Sequence, residues 1–250
     1  MEILSIGVAE DHQICPGVYY IPEFITKEEE DYILRKIDNS PQPKWKKLAN
    51  RRLQIWGGEI TARGTLVCHP MPPFVNQFPD IISRIKATGV FSDSPHKEPN
   101  HIIMNEYLPG QGIMPHEDGP QYYPVVATIS LGSHTSFQYY CYKSNDFSGE
   151  SEHGKVINMD PVLSIILEPR SLVVTSGMMY TSHLHGIDAV EEDIIASSST
   201  DGISIANLDA LRDISIRKAI EEGRPLKRGI RHSLTCRDVE RTLTVPGGRH

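Results

Sequence analysis

At 250 residues, with 39% hydrophobic and 23% charged side chains, the chain can bury a substantial core and has the composition of a globular protein rather than a disordered or fibrous one. Its 25 Lys and Arg against 32 Asp and Glu leave a net charge of −7, which argues against holding nucleic acid chiefly through phosphates. No apolar run approaches the ~20 residues of a bilayer-crossing helix, no basic-then-apolar leader opens the chain, and the scattered Cys15, Cys68, Cys141 and Cys236 form no C-x-x-C pair.

That cysteine usage reads as a reducing compartment, cytosol or nucleus. Val18–Ile21 reads as a short strand, ended by Pro22. Thr26 and Glu29 have capping-box spacing, and Tyr32, Ile33 and Ile37 recur at helical intervals, so a helix is expected up to Asn39-Ser40-Pro41. Lys44, Lys46, Lys47, Arg51 and Arg52 form a basic cluster, read first as solvated surface, with a local basic groove as the alternative. Arg52–Trp56 reads as a strand stopped by Gly57-Gly58. A second amphipathic helix is expected from Pro72 to Lys86, with Phe74, Phe78, Ile81, Ile82 and Ile85 as its apolar stripe.

From residue 101 the texture changes to β-type runs: His101–Tyr107, Val125–Leu131, Ser136–Tyr142, Leu163–Leu167, Ser171–Thr175 and Ile230–Val239. Two polar stretches, Lys143–Pro161 and Glu191–Gly202, read as surface insertions. Helical spacing returns at Leu208, Leu211, Ile214 and Ile220, before Gly223-Arg224-Pro225. A second basic cluster comprises Arg224, Lys227, Arg228 and Arg231. The expected fold is mainly β with flanking helices: a single domain whose double-sheet jelly roll (double-stranded β-helix) spans 101–240, buttressed by a helical, lid-forming extension over 1–100.

Four features of this β region carry chemistry. His116 and Asp118 are two residues apart, so on one strand both side chains point to the same face. An imidazole and a carboxylate, joined by a second imidazole, make the facial triad that holds non-haem Fe(II) with open positions. His183 and His185 are both candidates for the third ligand, and spacing does not choose between them. Arg231, Ser233, Thr235 and Arg237 share one face by period two, and two guanidinium groups beside small hydroxyls suit a dicarboxylic acid. Asn105 and Tyr107, also two apart, offer neutral hydrogen bonds to a carboxylate.

In chain order these motifs are Asn105-x-Tyr107, Pro109-Gly110, His116-x-Asp118, His185-Gly186-Ile187 and Arg231-x-Ser233-Leu234-Thr235-x-Arg237. Together they resemble the AlkB-like dioxygenases, which use Fe(II), 2-oxoglutarate and O2. The phrases Gly112–Pro120 and Thr128–His134 set the chain beside the subgroup called AlkB homologue six, and the resemblance spans about residues 15–245. It implies that His116, Asp118 and His185 hold the iron, that Arg231 pairs with the far carboxylate of 2-oxoglutarate, and that Arg237 lies near the metal-proximal one. Asn105 and Tyr107 complete that site. It further implies oxidative demethylation of methylated nucleic acid, with Tyr122, Tyr123 and Trp56 as candidates to stack on a base, core packing being the favoured reading for Trp56. The acidic balance favours RNA or single-stranded DNA over duplex, and a monomer with room for protein partners is expected. The competing readings are a non-enzymatic reader or adaptor on the same fold, and a hydroxylase of protein or small molecules.

Overall fold

The computed structural model describes residues 12–143, 156–195 and 204–244. The Thr26–Glu29 capping box is formed: the threonine hydroxyl accepts from the Glu29 amide at 3.3 Å, and the Glu29 carboxylate accepts from the Thr26 amide at 2.9 Å. Helix α1 (Lys27–Asp38) starts there and ends at Asn39, with Ile33 and Ile37 fully buried. Burying each of these side chains is worth roughly 1.5–3 kcal/mol.

The strands in chain order are β1 (Gln13–Cys15), β2 (Val18–Ile21), β3 (Lys46–Leu48), β4 (Arg51–Trp56), β5 (Gly58–Ile60), β6 (Thr65–Cys68), β7 (His101–Tyr107), β8 (Ile113–His116) and β9 (Tyr122–Leu131). They continue with β10 (Thr135–Tyr140), β11 (Leu163–Leu167), β12 (Leu172–Ser176), β13 (Leu184–Ile187), β14 (Glu192–Asp193), β15 (Leu226–Lys227), β16 (Arg231–Val239) and β17 (Arg241–Leu243). Among the described residues, an eight-stranded sheet runs β1-β2-β12-β9-β16-β7-β4-β3 and a four-stranded sheet runs β11-β10-β13-β8. These two antiparallel sheets are the jelly roll expected from the sequence. A smaller sheet, β17-β6-β5, stands beside them.

Period-two alternation divides each strand of the large sheet between two layers. Ile102 and Met104 of β7, Ala127 and Ile129 of β9, and Leu234 and Cys236 of β16 face outward into a core shared with Ile33 and Ile37 of α1. Their neighbours Ile103, Asn105, Thr128, Ser233 and Thr235 face the interior between the sheets. There, Tyr20 and Val173 of the large sheet share a second core with Tyr139, Ile165 and Leu167 of the small one.

Three expectations change. The helix expected from Pro72 to Lys86 is two helices, α2 (Pro73–Asn76) and α3 (Ile81–Ala87). Pro79 between them brings no N–H and bars its neighbour from helical geometry, so Phe78 leaves the stripe and lies 63% exposed against Tyr32. The spacing over Leu208–Ile220 likewise resolves into a single 3-10 turn at Leu208–Ala210 and helix α4 (Ile214–Glu221), restarted by Asp213 as N-cap. The first hundred residues are not a separate helical extension: β2 pairs with β12 and β4 with β7, supplying partners that the edges of the large sheet otherwise lack. Most of the two polar insertions, 144–155 and 196–203, lies outside the described residues. Among the described residues, no helix is long and apolar enough to cross a membrane.

Candidate active site

Strands β8 and β13 pair so that His116 stands directly opposite His185, with ring centroids 4.5 Å apart. Gly112, just ahead of β8, permits this approach, because a Cβ there would come within 2.2 Å of the Ile187 carbonyl. Contrary to the period-two expectation, Asp118 does not share a strand with His116. β8 ends at His116, and Asp118 sits in the following loop, where Arg237 of β16 donates to its Oδ1 at 2.5 Å. A buried ion pair thus does the aiming that strand geometry was expected to do. The ligand atoms of His116, Asp118 and His185 all lie within 4.8 Å of one another. His183 is not part of this group: its Nδ1 lies 3.0 Å from the Met178 carbonyl, ahead of β13.

The protonation states suit a cation. Burial pushes His185 down to about 4 and lowers His116, so both rings are neutral at pH 7. His116 Nδ1 lies 2.9 Å from the Met114 carbonyl, and its N–H donates there, leaving the Nε2 lone pair free. Burial works against charge on Asp118, but the Arg237 guanidinium and the His185 ring hold its carboxyl below the usual range. Asp118 Oδ2 is buried with no hydrogen-bond donor. Two imidazoles and a carboxylate with an unused oxygen are the ligand set of a divalent metal.

The other half of the site suits an anion. Arg231 is 4% exposed, and its one hydrogen bond is from Nη2 to the Ser130 hydroxyl at 2.8 Å. Its Nε and Nη1 are buried without acceptors, as are those of Arg237. Orphaned cationic donors of this kind are costly and call for a negatively charged partner. Asn105, Tyr107, Ser233 and Thr235 line the same cavity of about 300 Å³, between the two arginines and beside the metal group.

The structure divides the three aromatic candidates. Tyr122 lines the cavity, with the Arg237 guanidinium 4.9 Å from its ring centroid. Tyr123, one residue on, points to the other face of β9 and packs against the helix-side core. Trp56 is 6% exposed and meets Phe74 edge to face at 5.2 Å in that core, remote from the cavity. Arg51, read from sequence only as part of a basic cluster, is a lining residue, and its Nε donates to Asn105 Oδ1 at 3.0 Å. Nothing local marks Arg51 out; the pairing of β4 with β7 brings it over Asn105. Arg228, from the second basic cluster, is not surface either. It donates to both oxygens of buried Asp193 at 2.8 and 2.5 Å and to the Asp188 carbonyl at 2.7 Å, pinning the chain beyond β13 to the start of β16.

A double-sheet jelly roll with a His-Asp-His group and unsatisfied buried arginines at its centre defines the class of metal-dependent, 2-oxoacid-using oxygenases. The chain belongs to the 2OG-Fe(II) oxygenase superfamily, whose family model matches residues 56–237. It is an oxidoreductase whose cofactor and co-substrates are Fe(II), 2-oxoglutarate and O2. It is 37% identical over 231 residues to a protein of Danio rerio named "Probable RNA/DNA demethylase ALKBH6", across 91% of this chain and 88% of that one. It is also similar to the Macaca fascicularis protein named tRNA (carboxymethyluridine(34)-5-O)-methyltransferase ALKBH8, 26% identical over 91% of this chain but only 31% of the longer relative. In fold it is similar to the solved structure of OsALKBH1, with a TM-score of 0.52 and 15% identity over 90% of this chain and 99% of that one.

Proposed function

We propose that the chain removes N-methyl groups oxidatively from nucleic acid, RNA or single-stranded DNA. The observation that carries this reading is the 37% identity, over nearly the whole chain, to a relative named as an RNA/DNA demethylase. His116, Asp118 and His185 would hold Fe(II), and the bound metal would supply the oxidation of an N-methyl group at the expense of 2-oxoglutarate and O2, the overall products being succinate, CO2, formaldehyde and the demethylated base.

The chain's own residues orient and shield. Arg231, fixed by Ser130, takes the far carboxylate of the diacid on its two unused donors, while Asn105 and Tyr107 fix its angle. Arg237 holds Asp118 ionised and aimed, and carries further donors toward the near carboxylate. Tyr122 closes the cavity beside Arg237 and offers its ring to an incoming base.

The test is anaerobic titration with Fe(II) and 2-oxoglutarate, watching the metal-to-ligand charge-transfer band. Succinate and formaldehyde release follow, with methylated RNA, methylated single-stranded DNA, or no oligonucleotide. Stimulation by one oligonucleotide class supports the reading and names the substrate. Oligonucleotide binding without stimulated turnover points instead to a reader or adaptor, and stimulation only by peptide points to a protein hydroxylase.

A further inference from the structure

Beside the cavity lies an open groove of about 620 Å³, and Arg51 lines both. Its walls combine two chemistries. Leu48, Leu108 and Ile230 stand 47%, 44% and 52% exposed, three large apolar side chains left in solvent around one concavity. Lys47 and Arg51 also line it, from the two faces of the β3–β4 hairpin. Lys47 makes no ion pair with any described residue, and Arg51 binds only the neutral Asn105 amide.

The carboxylate in the floor does not neutralise them. Glu106 accepts from Arg52 at 2.6 and 2.7 Å and lies 3.1 Å from His232 Nε2, while Arg52 is itself held 3.8 Å over the Trp45 ring. Asp38 is the one lining carboxylate outside an ion pair, against two unpaired cations. On a chain of net charge −7, this is a local positive site with an apolar surface beside it.

We infer that the groove is a second nucleotide subsite. It takes a nucleotide flanking the one whose base enters the cavity, with the phosphate on Lys47 and Arg51 and the base against Leu48, Leu108 and Ile230. The inference rests on the nucleic-acid reading above and deepens it: a strand is gripped at a phosphate and a base, not only at the methylated base. Aliphatic side chains accept any base by its face, so this subsite adds affinity for single strands with little sequence preference. Continuity through Arg51 supports one strand occupying both places, because a single guanidinium borders cavity and groove.

The experiment is fluorescence anisotropy of labelled, unmodified single-stranded RNA and DNA on the full chain, at several salt concentrations, with Lys47→Glu, Lys47→Arg and Ile230→Asp. Both positions are exposed, and matched thermal midpoints confirm folding. Lys47→Glu is expected to weaken binding on the order of tenfold and lower the log–log salt slope by about 0.7, the loss of one phosphate contact on a single strand. Lys47→Arg should restore both, and Ile230→Asp should weaken binding of single strands above its effect on duplex.

Equal binding by wild type and all variants overturns the subsite, and oligonucleotide demethylation then still tests the main reading separately. Tight binding that Lys47→Glu weakens, without demethylation of any strand, keeps the subsite and sinks the demethylase reading. If a poly-glutamate peptide binds more tightly than either strand and loses affinity in the same variants, the groove is a protein-docking site and the inference fails.

Discussion

Replacing Arg231 with methionine should stabilise the protein without ligands and abolish its response to 2-oxoglutarate. Burial pulls the Arg231 guanidinium from its ordinary range down to about 10, and no carboxylate in contact offsets it. At about 1.4 kcal/mol per tenfold, that drop corresponds to about 3 kcal/mol of unfavourable charge burial. Because the folded state binds this proton less tightly than the unfolded one, the cost is fully present below about pH 10 and fades as pH rises above it. Losing the Ser130 hydrogen bond returns roughly 1.5 kcal/mol, so a net gain of roughly 1–2 kcal/mol remains at neutral pH. For a domain of this size that is a rise of about 2–8 °C in thermal midpoint. The assay is thermal unfolding of metal-free protein, alone and with Mn(II) plus 2-oxoglutarate, Mn(II) serving as a redox-inert probe. Wild type should gain strongly on adding both, and the variant should gain only what the metal confers. A metal-free variant less stable than wild type by more than about 1 kcal/mol would show the guanidinium to be well paired without ligand, and refute the reasoning.

Asp118→Ala should abolish succinate production and, by stranding the buried Arg237 charge, cost about 3–5 kcal/mol in denaturant unfolding; full turnover in this variant removes Asp118 from the metal site. Gly112→Ala drives a methyl group toward the Ile187 carbonyl, so it should separate β8 from β13 and weaken Mn(II) binding measured by electron paramagnetic resonance. Gly186→Ala, whose Cβ meets its nearest atoms only at 3.1 Å, should do so less, and the reverse order would contradict the strand-approach argument. His101 is buried and pushed down to about 4 by burial and then by Arg237, so it folds neutral. Its contribution is present above 6.5 and lost as pH falls from 6.5 toward 4, and urea unfolding at pH 7 and pH 5 should show a smaller acid loss in His101→Gln than in wild type.

Much of this was legible where one strand serves one pattern. The β7, β11 and β16 runs stand out as short β-type stretches between turn signals, and the observed β7 and β11 have the expected limits. The resemblance likewise pointed to His185, and the backbone shows why His183 is elsewhere: it precedes β13. What could not be read depends on long-range pairing. Arg51 joins the site only because β4 lies beside β7, and Arg228 leaves the surface only because Asp193 comes to meet it. Trp56 takes the core place favoured for it from sequence, whereas Tyr123 leaves the cavity for the same reason, since an aromatic side chain suits a base and a core equally, and only the facing layer decides. Pro79 was the one local signal misweighed, as apolar periodicity ran on across a residue that a helix interior rejects.

β16 shows how such a protein can and cannot change over evolutionary time. Arg231, Ser233, Thr235 and Arg237 face the cavity, while Leu234 and Cys236 face the helices. A deletion of one codon within this stretch would invert that alternation for every residue beyond it, sending guanidinium groups into hydrocarbon and leucine into the oxidising centre. Single substitutions can retune one layer while leaving the other untouched. The strand is therefore free to drift in composition but not in length, and its reading frame is as much a part of the catalyst as its arginines.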